Sequence, residues 1–235
     1  MSRFARRADA MFAAAMELNL ANVERALRAA PAGGCLLDLG CDDGARTVAC
    51  AAAARAEEAH GVEVSARAAE LARRRGVLVT EADLESSLPF EDGSFDVVVS
   101  NQVLEHLVDT DCFVSEIRRL LRPGGLAVIS TENLASWHNV AALVLGWQPF
   151  SLGNVTARRP GLGNPLAVHR HGEAGDASWR HVKVFSYRGL RELVEAHGLA
   201  VRALHGAGYY PLPARLARLD PRHAAFLTVV ATKAG

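Results

Sequence analysis

The sequence predicts an α/β fold built on a mostly parallel sheet, doubly wound with helices on both faces. Three observations carry that prediction. Short apolar runs recur at residues 35–39, 60–65, 77–80, 95–100 and 126–130, and helix-forming stretches separate most of them. The run Phe95-Asp96-Val97-Val98-Val99-Ser100 lacks the alternation of a half-exposed strand, as expected for one buried on both faces. The first run breaks into a glycine-bearing turn, Gly40-Cys41-Asp42-Asp43-Gly44, ahead of an alanine-rich helix former at 45–56. In open α/β sheets a ligand sits just outside the carboxyl end of such a strand.

The elements follow in order. Residues 3–30 carry Met11, Ala15, Leu18, Val23 and Leu27 at roughly helical spacing, so one or two amphipathic helices are expected before Pro31 and Gly33. They cover a sheet edge or close over the ligand. The second strand is read at 60–65, and Ser65 is placed to cap a helix over 66–75 that Gly76 stops. A third strand lies at 77–80, a polar loop at 81–89 and the fourth strand at 95–100. A helix over 109–121 ends at Pro123-Gly124-Gly125, and the fifth strand covers 126–130. Residues 136–145 read as a helix. From 146 to 179 the chain is rich in Gly, Pro, Asn, His and Arg, and loops this long in a compact domain are usually functional or disordered. Ser186 caps a helix over 187–196, a strand covers 199–204, a turn-rich aromatic loop covers 207–213, and a last strand covers 224–232.

The whole chain, 1–235, reads as one domain. It has a helical N-terminal extension (1–32), a ligand-binding core (33–131), an insertion after the fifth strand (132–180) and a C-terminal helix with strands (181–235). Half of the residues are hydrophobic, enough for a sizeable core. Lys+Arg and Asp+Glu both number 26, so the chain lacks the basic footprint of a nucleic-acid binder. No run approaches the length of a membrane span. The basic start, Met1 to Arg7, is followed by an apolar run too short and too poorly terminated for a signal peptide. The four cysteines form no CxxC pair. Cys35 and Cys112 stand in apolar contexts and read as core residues in a reducing compartment, which points to a cytoplasmic protein.

Three acids follow the first three strands. Asp38 nears the end of the first, Glu63 ends the second, and Asp83 follows the third. The turn has Asp42 where a dinucleotide fingerprint needs its second glycine, and two adjacent carboxylates repel a pyrophosphate. Asp38 favours a cationic group, Glu63 can accept both hydroxyls of a ribose, and Asp83 can accept an exocyclic amine. Cation, ribose and base amine together outline S-adenosylmethionine.

The stretches LLDLGCDDG (36–44), GVEVS (61–65), EADLESSLPFEDGSFDVVVSNQVLEHL (81–107) and IRRLLRPGGLAVIS (117–130) lie in an order and spacing that resembles class I S-adenosylmethionine-dependent methyltransferases of the small-molecule, methyltransferase-11-like type. The resemblance covers about residues 33–131. It implies a Rossmann-like seven-stranded sheet whose last strand is antiparallel. It also implies that Asp38 and the Gly40 backbone hold the methionine end, Glu63 the ribose, and Asp83 with Leu84 the adenine. Asn101 and Gln102 match the methionine side, and Gly44 and Val64 complete the candidate set. The family usually has glycine at position 42. Asp tolerates unusual backbone angles, so Asp42 is expected to keep the turn and to meet the cofactor's amino group.

An oxygen or nitrogen acceptor can need a base, and the histidines are the candidates. His106 follows the fourth strand; it either serves near the methyl group or packs the next helix. His138 lies just past the fifth strand, where the family's substrate side begins. Trp137, His138, Asn139, His181 and Tyr209 are the candidate acceptor contacts. His169 and His171 stand two apart without a cysteine pattern, so no metal is expected. Arg158, Arg159, Arg170 and Arg180 either pair with an acceptor carboxylate or phosphate or form a solvated loop face. The reading is methyl transfer to O or N of a small organic acceptor in specialised or cofactor metabolism. A peptide or protein terminus, or a binding module without turnover, is the alternative. The expected partners are a small-molecule acceptor, no nucleic acid and no membrane, with a homodimer as the assembly to test.

Overall fold

The computed structural model describes residues 3–156, 158–167 and 180–234. Seven strands form one sheet: β1 (Cys35–Leu39), β2 (Glu58–Glu63), β3 (Leu78–Glu81), β4 (Phe95–Asn101), β5 (Leu121–Glu132), β6 (Leu199–Ala207) and β7 (Phe226–Lys233). Their spatial order is β3-β2-β1-β4-β5-β7-β6. The first five run parallel, and β7 pairs antiparallel with both β5 and β6. The chain winds outward from β1 to β3, then returns to lay β4 on the other side of β1. That reversal opens a crevice at the carboxyl ends of β1 and β4, where ligands bind in such sheets.

The described residues hold six α-helices, α1 (Arg3–Leu27), α2 (Ala45–Ala54), α3 (Ala66–Arg74), α4 (Thr110–Leu120), α5 (Trp137–Val144) and α6 (Tyr187–Ala196), and all but α5 pack on the strands. The unalternating apolar run of β4 is divided between the two faces. Val97 and Val99 join Leu36, Val128 and Val230 under Val23, Ala26 and Leu27 of α1 and Cys50 and Ala54 of α2. Val98 joins Leu37, Ile129 and Leu227 under Phe113 and Ile117 of α4 and Leu190 and Val194 of α6. Three helix starts are capped by side-chain oxygens: Ser65 for α3, Asp109 for α4 and Ser186 for α6.

Several expectations are refined. The N-terminal stretch is one helix, and it lies on the sheet face rather than its edge. There Asn19 and Asn22 are buried, and Asn22 Nδ2 donates to the carbonyl of Gly206 at 3.1 Å. The fifth strand begins earlier, at Leu121, because Leu121 already pairs with Phe95 before a register shift accommodates the Pro-Gly-Gly segment. The sixth strand runs on to Ala207, held by its ladder with β7. Cys41 and Cys50 are the buried cysteines, whereas Cys35 and Cys112 are half-buried; all four are free thiols. His169, His171, Arg170 and Trp179 lie outside the described residues. Among the described residues no helix is long and apolar enough to cross a membrane.

Two glycines with positive φ separate packing from backbone strain. A Cβ on Gly44 (φ +79) would stand 2.7 Å from the Ala72 Cα, whereas Gly76 (φ +87) has nothing within 4 Å. Gly76→Ala is expected to cost about 1–2 kcal/mol for the left-handed backbone alone. Gly44→Ala adds overpacking and is expected to cost about 3 kcal/mol or more. Urea unfolding of both variants checks this, and equal costs would refute the packing argument.

Candidate functional site

The turn after β1 is held by its neighbours before any ligand arrives. The N–H groups of Gly40 and Cys41 both donate to the carbonyl of Val62, at 3.0 and 3.1 Å. Gly40 (φ +83), Asp42 (φ +46) and Gly44 (φ +79) all take left-handed backbone. Aspartate at 42 therefore adopts the conformation that glycine adopts more easily, as its short polar side chain allows. The space left by Gly44 is filled by α3, so this glycine serves the packing of the turn on Ala72 and Val77. Asp43 accepts from the Ala45 N–H at 3.0 Å and pairs with Arg75 at 3.1 Å, so one of the two adjacent acids is already neutralised.

Asp38 is the buried acid of the site. Its Oδ2 accepts from Thr47 Oγ1 at 2.7 Å. Burial pushes its carboxyl up to about 7, against the opposing pull of the Thr47 hydrogen bond. Glu63, at the end of β2, takes one backbone N–H on each oxygen: Asp42 at 3.0 Å and Ser65 at 2.8 Å. These bonds fix the carboxylate and leave it further lone pairs. Val64 beside it is 70% exposed, an apolar surface at the strand end. Asp83 is exposed and accepts from the Glu85 N–H at 2.9 Å, while Leu84 packs partly on the core. Glu85 also accepts from the N–H groups of Val108 and Asp109, which ties this loop to the start of α4.

At the end of β4, Asn101 Oδ1 accepts from Asn19 Nδ2 at 2.8 Å, and Asn19 Oδ1 in turn accepts from Ser130 and Thr228. The Nδ2 of Asn101 is buried with no partner among the described residues. Such an orphan donor calls for an explanation, and a ligand supplies one. Gln102 is left-handed (φ +60) and donates through Nε2 to Ser130 Oγ at 3.2 Å. A fixed carboxylate, a buried acid and an orphan amide donor around one turn fit a ligand with a cationic end and a diol. The residues suit S-adenosylmethionine.

The acceptor candidates fall into three clusters. His106 and His181, far apart in sequence, meet edge to face with ring centroids 4.9 Å apart. His106 Nδ1 lies 3.1 Å from the Arg180 carbonyl, and His181 Nδ1 lies 2.6 Å from that of Ser151. Burial lowers the pKa of both rings. Between them sits Glu105, buried, accepting from Thr131 Oγ1 at 2.8 Å. Burial, reinforced by the nearby Glu132, raises its carboxyl to about 8.

His138 stands apart from that pair. Its ring is flanked by Phe150 and Tyr210, at 5.4 and 4.9 Å, and burial lowers its pKa to about 4. The hydroxyl of Tyr210 is buried without a partner among the described residues. In the third cluster, Trp137 Nε1 donates to Tyr209 Oη at 2.7 Å, and that hydroxyl donates to Asp220 at 2.7 Å. Trp137 also stacks on His223 at 4.3 Å. Asn139 is fully buried and its amide is spent on Asn133 and Ser151, so it anchors the 150–152 turn and has no free group for an acceptor.

Sequence reasoning missed Asn19, Glu105 and Glu132, none of which carried a signal; Tyr210 belongs to the aromatic loop at 207–213 that the sequence does mark.

A family model for a methyltransferase domain matches residues 9–204. A probable S-adenosylmethionine-dependent methyltransferase of Mycolicibacterium smegmatis is 32% identical over 202 residues, covering 82% of this chain and 61% of that protein. A ubiquinone biosynthesis O-methyltransferase of Parvibaculum lavamentivorans is 33% identical over 124 residues, 48% of each chain. The chain thus spans about three fifths of the first of these curated relatives and half of the second. Among solved structures, an S-adenosylmethionine-dependent methyltransferase of Mesorhizobium loti superposes with a TM-score of 0.62 at 21% identity, over 95% of this chain and 100% of that one. That likeness concerns the fold.

Asp38 gives a pH prediction. Pairing with a ligand ammonium requires the ionised carboxylate. Affinity for S-adenosylhomocysteine is therefore expected to rise as pH increases through about 7 and to level above it. The stability of the free protein moves the other way. Its raised carboxyl binds protons that the unfolded chain has lost, so Asp38 makes stability fall between about pH 4 and about pH 7. Asp38→Asn should flatten the affinity curve in calorimetric titrations and remove the Asp38 share of the stability loss in thermal melts. An unchanged pH dependence would remove Asp38 as the titrating group.

Proposed function

Because this chain belongs to the methyltransferase domain family that its residues 9–204 match, we propose that it transfers the methyl group of S-adenosylmethionine to an oxygen of a small organic acceptor. When bound, that cofactor supplies a methyl carbon made electrophilic by the positive sulfur. The residues of this chain then have three tasks. Asp38, Glu63 and Asp83 hold the cofactor's cationic end, ribose and base, with Asn101 and Gln102 beside the methionine portion. The segments after β4 and β5 wall the acceptor. The buried imidazole of His138 orients the acceptor's hydroxyl.

The observation that carries this reading is the ring cluster in which Phe150 and Tyr210 flank His138, with the Tyr210 hydroxyl buried and without a partner among the described residues. Leaving a buried phenol hydroxyl unpaired costs about 1–3 kcal/mol. That cost is relieved when an acceptor's polar group meets Tyr210. His138, whose burial keeps it neutral at physiological pH, offers a ring lone pair to an acceptor hydroxyl. With a pKa of about 4 it aligns that hydroxyl and does not store its proton. With the cofactor bound, an acceptor oxygen aligned in this way would take the methyl group as the carbon–sulfur bond electrons return to sulfur, and its hydroxyl proton would pass to solvent. Aromatic walls and a few polar groups suit a moderately polar small molecule. The O-methyltransferase relative of Parvibaculum lavamentivorans supports oxygen over nitrogen. A role in biosynthetic metabolism in the cytoplasm belongs to the same proposal.

Calorimetry with S-adenosylmethionine and S-adenosylhomocysteine tests the cofactor half, and no binding of either would sink the assignment. Mass spectrometry across phenols, carboxylates, amines and peptides tests the acceptor half. Transfer to amines or peptide termini alone would replace oxygen with nitrogen, and binding without transfer to any class would favour a binding module. Glu63→Gln is expected to weaken S-adenosylhomocysteine about tenfold or more. Tyr210→Phe is expected to lower kcat/KM about tenfold with cofactor affinity unchanged.

A further inference from the structure

The cluster around Glu105 has a composition that methyl transfer alone does not require. A carboxylate oxygen of Glu105 and one ring nitrogen each from His106 and His181 all lie within 4.8 Å of one another, the one such group among the described residues. We propose that Glu105, His106 and His181 bind a divalent first-row transition-metal ion on the acceptor side of the site.

Three observations support the assignment. The first is the orientation of the rings. Each histidine directs Nδ1 at a backbone carbonyl, Arg180 for His106 and Ser151 for His181. A carbonyl only accepts, so Nδ1 carries the hydrogen and Nε2 the lone pair. Metal-binding histidines are commonly fixed in this way by a second partner. The second is the main-chain lock that brings the ligands together. The N–H groups of Val182 and Lys183 both donate to the carbonyl of Glu105, at 2.7 and 3.2 Å, and Phe185 bridges to Asn133 beyond β5. His181 is thereby held in register with the short 3₁₀ turn Leu104–His106. The third is the buried acid. Packing does not call for a carboxyl at 105, which is buried and accepts from Thr131 Oγ1, and a bound cation would favour its ionised form. Glu132 adds a second acid, 3.8 Å from Nδ1 of His181.

Two imidazoles and one carboxylate suit zinc, iron, manganese or cobalt, whereas magnesium prefers oxygen ligands throughout. Three protein ligands leave coordination positions open. A surface cavity of about 440 Å³, lined by His106, Val108, Val155, Arg180, His181 and Val182, adjoins them. The use of the ion rests on the methyl-transfer reading: an acceptor oxygen on the open positions is oriented and its hydroxyl made more acidic.

The test is cobalt titration of chelator-treated, dialysed protein, followed by visible spectroscopy. The expected result is saturation at one Co²⁺ per chain, with d–d bands that Zn²⁺ abolishes by competition. His106→Ala and His181→Ala should each weaken Co²⁺ at least about tenfold. Calorimetry on the same samples should show S-adenosylhomocysteine affinity unchanged. A spectrum identical to aqueous Co²⁺ overturns the site, as does equal affinity in both variants. If either variant fails to fold, the wild-type spectrum and stoichiometry decide alone. Failure of the methyl-transfer reading looks different: cobalt binds and S-adenosylhomocysteine does not.

Discussion

Asp38 is a carboxylate within a strand that is covered on both faces and flanked on both edges. β1 lies between β2 and β4, and its neighbours Leu37 and Leu39 are fully buried on one face, with Leu36 on the other. No water reaches the acid from the sides. One hydrogen bond from Thr47, in the first turn of α2, offsets part of the desolvation, and the carboxyl still sits near neutrality. The crevice beyond β1 therefore presents an acid whose ionised form an approaching cation favours. The choice of ligand follows from this. Phosphate is disfavoured there, although the turn has the positive φ angles and helix start that anion sites also use. Glu63 extends the same logic, since its oxygens are fixed by backbone N–H groups of the turn and of the α3 cap.

The sheet's carboxyl edge solves a second problem, the satisfaction of polar groups at the ends of buried strands. Asn19 does so from α1. Its side chain bonds to Asn101 of β4, Ser130 of β5 and Thr228 of β7, three neighbouring strands bridged by one amide. The N-terminal helix is thus joined to the cofactor side by hydrogen bonds and to the sheet face by Val23, Ala26 and Leu27. Such buried networks are strong when complete and costly when broken. Among the described residues the one donor it leaves over is Asn101 Nδ2.

Most of the sheet was legible because its signals are local. The unalternating run of β4, the glycine turn and the caps at Ser65 and Ser186 each depend on a few consecutive residues. Strand ends were less legible: β6 reaches Ala207 only because β7 continues beside it. The cysteines show the same limit. Cys35 stands in an apolar run yet opens its strand and is half-buried, whereas Cys41 lies under the glycine turn against Ala72 and Val77. The candidate cofactor residues could be named because each follows a strand, and strand order was readable. The acceptor side could not be assembled in that way. Trp137 and Tyr209 were both singled out, yet nothing in the sequence indicates that one donates to the other. Nothing local marks Glu105, whose burial depends on Thr131 and on residues 181–183 far along the chain.

This difference has a physical origin. The residues proposed for the cofactor stand at the carboxyl ends of adjacent parallel strands, so a single winding pattern places them all. Those proposed for the acceptor come from segments after β4, β5 and β6 and from the stretch before α6, which meet only through long-range contacts. The bond from two N–H groups at 182–183 to one carbonyl at 105 sets how far His181 stands from His106. A change in the length of the intervening insertion can therefore alter the acceptor wall without disturbing the turn at Asp38. The fold thereby separates a cofactor half constrained by strand burial from an acceptor half constrained only by closure of its loops.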